Sequence, residues 1–408
     1  MNKYFIKIMS AAVVVVVCGS VSLHAQNPQG NSHRAAALPF SENTKPVMVE
    51  VTNPAGTESI KLTYTLPEAD IKSTGSRLEN TELYEVSVGN TFQKGNEGEP
   101  VLPVIPVQVI IPAGHSFDKV VILDSKSNKL SGSHRIRHGQ ANIPLIPGVR
   151  QKVAEPKADI YSSDNVYPPS IVEMIGIQYK KGVAIAFLQL HPVAYQPKSG
   201  KISVCSSISF ELKLKAATSE ARLKPNPKDL NPATLQVENP EAIDTYNQGS
   251  ITPQDESVSP LGICDPSQSF RYVVVTADSF FTATTDYTIR DLVAQKQSRG
   301  ISATIVTTEN VFANYTGVDN AERLRNFIID AYTNWETEYV LLGGDINIIP
   351  MRKLYCNASG EVDDIPSDLY YQCLDGNYNS DNDSHWGETT DGPGGTDVDL
   401  MAEVYIGR

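Results

Sequence analysis

The densest set of hard oxygen donors in the chain runs Asp375-Gly376-Asn377-Tyr378-Asn379-Ser380-Asp381-Asn382-Asp383. Alternate Asp and Asn side chains on a tight loop suit Ca²⁺, which takes roughly six to eight oxygens at flexible geometry. Asp375, Asn377, Asn379, Asp381 and Asp383 are the residues such a loop would offer. The run begins like a calcium loop, D-x-N-x-N, but Ser380 stands where Gly is expected. Trp386 fills the twelfth position in place of Glu, and Glu388 comes two residues further on. A solvated acidic turn accounts for the same residues, and the sequence leaves both readings open.

Covalent catalysis needs a nucleophile and a base brought together. The chain has no G-x-S-x-G elbow and no H-E-x-x-H metal helix. His33, His134 and His138 lie in polar stretches, His115 follows a turn, His191 precedes a proline in a strand pattern, and His385 borders the acidic loop. Each reads as structural or exposed. Gly343-Gly344-Asp345 lacks the Gly-Lys-Ser/Thr of a phosphate loop, and Asp345 suits a turn cap at the end of a buried strand.

Positioning these residues falls to two kinds of segment. From about residue 36 to 216, short alternating runs such as Ile60 to Tyr64, Val104 to Ile111, Val183 to Leu190 and Ile202 to Lys213 are separated by turn signals, which predicts an all-β sandwich or barrel. Residues 217–268 turn to Pro, Asn, Ser and acidic residues, the composition of a linker, with Arg222, Lys224 and Lys228 open to a trypsin-like cut. Beyond it the period changes. Tyr272 to Thr276 and Tyr339 to Leu342 read as buried strands and Ser302 to Thr307 as a third. Helices are expected over Thr284 to Arg299, with Tyr287, Ile289, Leu292 and Val293 on one face, and over Ala321 to Asn334. Strand, helix, strand, helix, strand predicts a parallel α/β sheet.

The chain's 408 residues carry a net charge of −13, which disfavours a nucleic-acid surface built from clustered Lys and Arg. Lys3, Lys7 and the apolar run from Ala11 to Val17 form an export signal, with cleavage after Ala25; the rival, lipidation at Cys18, places bulky Val17 where a small residue is preferred. No other segment approaches the roughly 20 residues of a membrane span. Export makes disulfides possible, and Cys356 and Cys373 are the candidate pair, closing a short loop worth roughly 3 kcal/mol. Cys205 reads as a buried free thiol.

Two stretches resemble the gingipain family, the C25 cysteine peptidases. In the β-rich part these are Gly98-Glu99-Pro100-Val101-Leu102-Pro103-Val104 leading to Ile110-Ile111-Pro112-Ala113-Gly114, and His191-Pro192-Val193-Ala194-Tyr195-Gln196-Pro197-Lys198-Ser199-Gly200-Lys201-Ile202. In the α/β part they are the two buried strands, Gly343-Gly344-Asp345 to Ile349-Pro350, Pro366-Ser367-Asp368-Leu369-Tyr370-Tyr371, and Asp397-Val398-Asp399-Leu400 to Glu403-Val404-Tyr405-Ile406-Gly407-Arg408.

The resemblance implies a secreted zymogen: signal peptide 1–25, β-rich propeptide 26–216, linker 217–268 and the N-terminal part of a caspase-like catalytic domain over 269–408. It implies protein or peptide substrates, an intramolecular contact between propeptide and catalytic domain, structural Ca²⁺ and no organic cofactor. The family's catalytic His and Cys follow the segment resembling Glu403 to Arg408. No catalytic role therefore passes to any Cys or His of this chain, which is expected to be truncated and inactive by itself. The alternative is an exported, non-enzymatic binding or adhesion protein with a degenerate peptidase domain.

Overall fold

The computed structural model describes residues 48–52, 58–78, 80–141, 153–217, 223, 235–248, 262–358, 361–392 and 397–408. The export signal, His33 and the basic residues Arg222, Lys224 and Lys228 lie outside them.

The first unit runs β1 (Met48–Thr52), β2 (Ser59–Thr65), β3 (Ala69–Leu78), β4 (Thr81–Val88), β5 (Phe92–Lys94), β6 (Leu102–Ile110), β7 (His115–Lys129) and β8 (Arg135–Ile136). A single turn of helix, α1 (Ala158–Tyr161), precedes β9 (Val172–Lys180), β10 (Val183–Leu190), β11 (Val193–Gln196) and β12 (Lys201–Ala216). One sheet has the order β1-β2-β12-β11, with β7 also pairing β12; a second has β5-β6-β10-β9; a third, smaller one has β3-β4-β8. The two-residue period of strands decides what each face covers. In β2, Ile60, Leu62 and Tyr64 point into the core. In β10, Ala184, Ala186 and Leu188 join that same core, whereas Val183, Ile185 and Phe187 face the other way into a second one. A strand apolar on both faces needs a cover on each.

Part of the expected linker supplies that cover. Leu235, Ala242 and Ile243 pack on Ile110, Val183, Ile185 and Phe187. They sit in and beside a 3₁₀ turn (Pro240–Ile243) followed by α2 (Asp244–Gln248). Asn239, fully buried, bridges β6: its Oδ1 accepts from Ile110 N at 2.8 Å and its Nδ2 donates to Ile110 O at 2.9 Å. Residues 235–248 therefore belong to the β-rich unit. Their few apolar side chains follow no period that sequence could reveal.

The second unit runs β13 (Tyr272–Thr276), α3 (Asp278–Phe281), α4 (Ile289–Ser298), β14 (Ala303–Thr307), α5 (Thr308–Asn314), α6 (Asn320–Trp335), β15 (Tyr339–Gly343), β16 (Arg352–Ala358), β17 (Glu361–Ser367), α7 (Leu369–Gln372) and β18 (Tyr405–Gly407). The sheet order is β14-β13-β15-β18, parallel throughout. Val273 and Val275 face Leu324, Phe327, Ile328 and Trp335 of α6, and Val274 faces Val293 of α4, so helices cover both faces. Two expectations fail locally. Helix α4 begins at Ile289, because Thr288 and Asp291 form a capping box there; Tyr287 is 98% exposed in the left-handed region (φ 61°), not on the apolar face. The hairpin β16–β17 and the short helices α3 and α5 carried no clear sequence signal.

Candidate functional site

The acidic loop is fastened to α6 by one arginine. Asp319 caps α6, accepting from Glu322 N at 2.9 Å, and also takes both terminal nitrogens of Arg352 at 2.8 Å. One and a half turns on, buried Arg325 donates from Nε to Tyr370 O (3.0 Å) and from Nη2 to Cys373 O (2.9 Å) and Asp375 O (3.1 Å). The rings of Tyr370 and Tyr378 lie 5.1 and 5.4 Å from its guanidinium carbon. The turn must then reverse at Gly376, whose φ is +80° and where a Cβ would come within 2.3 Å of Asp397 O.

This anchoring brings Asp375 against residues 397–403. Oxygens of Asp375, Asp399 and Glu403 lie within 4.8 Å of one another, on residues only 2–3% exposed. Asp375 Oδ1 accepts from Leu223 N (3.2 Å), Asp399 Oδ1 from Met401 N (3.0 Å), and the two oxygens of Glu403 from Lys181 N (3.1 Å) and Leu374 N (2.7 Å). Three carboxylates cannot all ionise cheaply in one dry volume. Burial, reinforced by Glu403 and Asp375, raises Asp399 well above the usual carboxylate range. Burial and Asp375 push Glu403 up to about 7.

The five loop residues named from sequence do not form one shell. Asp375 turns into the buried group. Asn377 and Asn379 brace the loop, Asn377 Oδ1 accepting from Asn379 N and Asn379 Oδ1 from Asp383 N, both at 3.0 Å. Asp381 and Asp383 join Glu388 in a second, largely exposed group. Beneath it, buried Asp391 accepts from the backbone N–H groups of Ser380 (2.6 Å), Gly387 (2.8 Å) and Glu388 (2.9 Å). Sequence reasoning missed Asp399 and Glu403 as site residues; the available signal was carboxylates set among Val398, Leu400 and Val404.

The buried group also lies where the two units meet. Gln178, on the edge strand β9, donates from Nε2 to Val398 O (3.1 Å) and accepts at Oε1 from Leu400 N (2.7 Å). Its carboxamide thus pairs with residues 398–400 as a neighbouring strand would. Lys180 Nζ donates to Ala402 O, and Met401 packs against the second core of the β-rich unit. Burial lowers Lys180, while Glu403 pulls it back.

No described thiol forms the expected bridge: Cys356 and Cys373 are both free. Cys356 sits within the hairpin opposite Asp363, whereas Cys373 is buried in the α/β core. Cys205 is the buried free thiol expected. Burial raises the thiols of Cys205, Cys264 and Cys373, which suits them to packing rather than to attack. The histidines also have local roles: His138 Nε2 bonds Ala154 O at 2.7 Å, His191 sits 3.4 Å from Glu173, and His385 sits 3.3 Å from Asp364. Asp345 caps its own turn, accepting from Asn347 N at 2.9 Å.

Residues 265–408 match the family model Peptidase_C25, peptidase family C25. Over that stretch the α/β unit is similar to family C25. A structure concerned with the zymogenic latency of gingipain K from Porphyromonas gingivalis is 20% identical, covering 42% of this chain and 93% of its own at a TM-score of 0.36. The complex of the pro- and mature domains of Porphyromonas gingivalis RgpB is 14% identical, covering 48% and 97% at a TM-score of 0.38. Likeness at those scores carries no argument about architecture. No curated protein matches the chain. Among the described residues no helix is long and apolar enough to cross a membrane.

Proposed function

We propose that the chain is the N-terminal portion of the precursor of a secreted, gingipain-type cysteine endopeptidase. The observation that carries this reading is the C25 match over 265–408. Residues 1–25 direct export, 26–216 act as propeptide, and cleavage within 217–268 releases 269–408 as the first part of the catalytic domain. In such an enzyme a thiolate attacks the scissile carbonyl and a histidine passes the proton to the leaving amine. The buried, raised thiols of Cys205, Cys264 and Cys373 do not suit that step, and the catalytic Cys and His are assigned to chain that follows Arg408. The grip of Gln178, Lys180 and Lys181 on residues 398–403 supports a propeptide that stays docked until the connecting segment is cut.

The test is to express the full gene product and residues 1–408 separately and assay both on a mixed peptide library, before and after limited trypsin treatment. The full product should cleave only after treatment, iodoacetamide should stop it, and residues 1–408 should stay silent. Cleavage that survives the thiol block, or none from the treated full product, would overturn the peptidase reading.

A further inference from the structure

We propose that residues 235–248 form an exchanged arm: when the connecting segment is cut upstream of them, they stay seated in the β-rich unit while remaining covalently part of the α/β chain, and so slow the loss of the cut propeptide. The course of the chain carries this. It leaves the β-rich unit after Ala216, the end of β12. Leu223 then packs against the α/β core, and its N–H donates to Asp375 Oδ1 at 3.2 Å. Residues 235–248 return to the β-rich unit. At Ile263, whose N–H donates to the Tyr315 hydroxyl at 3.1 Å, and at buried Cys264, the chain is in the α/β core again. The segment thus crosses between the units three times, and a single cut leaves one stretch seated in the unit of the other chain.

The seat is an edge that needs a strand. β5 pairs with β6 only as far as Val104, so the backbone of Gln108 and Ile110 would otherwise present a bare edge. The arm fills it: Glu238 N donates to Gln108 O at 2.8 Å, and Asn239 takes both backbone groups of Ile110. The Tyr64 hydroxyl donates to Glu238 Oε1 at 2.9 Å, and Ala113 N donates to Thr245 Oγ1 at 2.9 Å. The Tyr246 hydroxyl accepts from Ala184 N at 3.1 Å and donates to Ile111 O at 2.7 Å. Beneath these bonds Leu235, Ala242 and Ile243 close the second core. Every Lys and Arg of residues 217–268, namely Arg222, Lys224 and Lys228, precedes the arm. A trypsin-like cut therefore leaves the arm on the α/β chain. The proposal rests on the reading of residues 217–268 as a segment that is cut. Association and not hydrolysis tests it, so it can fail while the peptidase reading stands.

The experiment places the recognition sequence of a site-specific endopeptidase in the 408-residue chain, replacing residues 226–232 in one variant and 252–258 in the other. Both cuts leave Leu223 on the β-rich chain, so the two complexes differ in which chain carries the arm. With the β-rich fragment immobilised, biolayer interferometry follows the loss of the α/β chain, in enough urea for the downstream-cut complex to decay within the record. The upstream-cut complex should dissociate more slowly than the downstream-cut one by about tenfold or more. Asn239→Ala with Ile243→Ala should erase that difference and leave the downstream-cut complex within about twofold of its own rate. Equal rates from the two cuts, or a double variant that shortens both lifetimes alike, would overturn the arm. If the double variant does not fold, Tyr246→Phe decides. It removes the hydroxyl shared by Ala184 and Ile111 and should shorten the upstream-cut lifetime alone; no change there sinks the proposal.

Discussion

Both units bury carboxylates at the same depth and solve the problem in opposite ways. In the β-rich unit Glu99, 6% exposed, is alone with its donors: Lys157 Nζ at 2.8 Å, Asn96 Nδ2 at 2.7 Å and the Tyr167 hydroxyl at 3.0 Å. Burial by itself would raise it, but Lys157, Tyr167 and Asn96 more than offset this and hold it below the usual range. In the α/β unit three carboxylates share Lys180 and an Arg325 that is spent on carbonyls, and Asp399 and Glu403 end up raised. Donors per carboxylate, not depth, set the charge state. A pocket short of positive charge is one that a cation, a proton or a partner's lysine can complete.

The strongest way to break this comparison is to remove the arginine. Arg325→Met should cost roughly 3 kcal/mol, because it strips three buried carbonyls of a charged donor and leaves the carboxylates more repelled. Trp335 and Trp386, the chain's two tryptophans, both lie in the α/β unit, so their fluorescence in urea reads that unit directly. A loss below about 1 kcal/mol would show that packing, not this donor, holds the loop.

Acidity should then separate the units. With EDTA present, the α/β unit carries a Glu403 whose native pKa, about 7, is above its unfolded value. The native state keeps its proton longer, so the penalty is absent below about pH 4 and grows as pH rises through about 7, reaching about 3 kcal/mol. Glu99 has the opposite sign: its pKa is lowered on folding, so its contribution is present above the unfolded value and lost as pH falls. Hydrogen exchange followed by mass spectrometry should show protection in α6 rising from pH 8 to 5, with protection in β6 falling only at lower pH. Glu403→Gln should flatten the first trend and Glu99→Gln the second. Parallel trends in both units would remove the contrast.

How much of this was legible depends on how local each cause is. The strands β2, β10 and β12 and the helix α6 follow from period, and the parallel sheet follows from the alternation of β13, α4, β14, α6 and β15. The acidic loop was visible as composition, but its division was not: whether Asp375 points inward is decided by Arg325, 50 positions earlier in the chain. Asp399 and Glu403 were not singled out as site residues, because only the tertiary fold places them beside Lys180. The 217–268 segment misled for the same reason, since Leu235, Ala242 and Ile243 bury against a sheet face whose need for a cover is a property of β10. A possible Cys356–Cys373 bridge was suggested by proximity in sequence, and the hairpin keeps Cys356 paired opposite Asp363 instead.

The two smallest effects sharpen the comparison from its edges. Asn239→Ala removes both hydrogen bonds to Ile110 and should cost roughly 2 kcal/mol in the β-rich unit while the tryptophan-reported transition stays in place. If both transitions move together, the units unfold as one and the contrast between them is not thermodynamically separable. Asp381→Asn tests the exposed acidic group against the buried one. Asp381 accepts from the Thr390 hydroxyl at 2.6 Å, near Asp383 and Glu388, but all of these contacts face water. Its loss should change stability by no more than about 0.5 kcal/mol in EDTA, whereas removing a donor from the buried group costs several times that. An exposed carboxylate exchanges one well-solvated partner for another, so a larger effect would mean the outer group bears structural load of its own, and burial would no longer be what distinguishes the two.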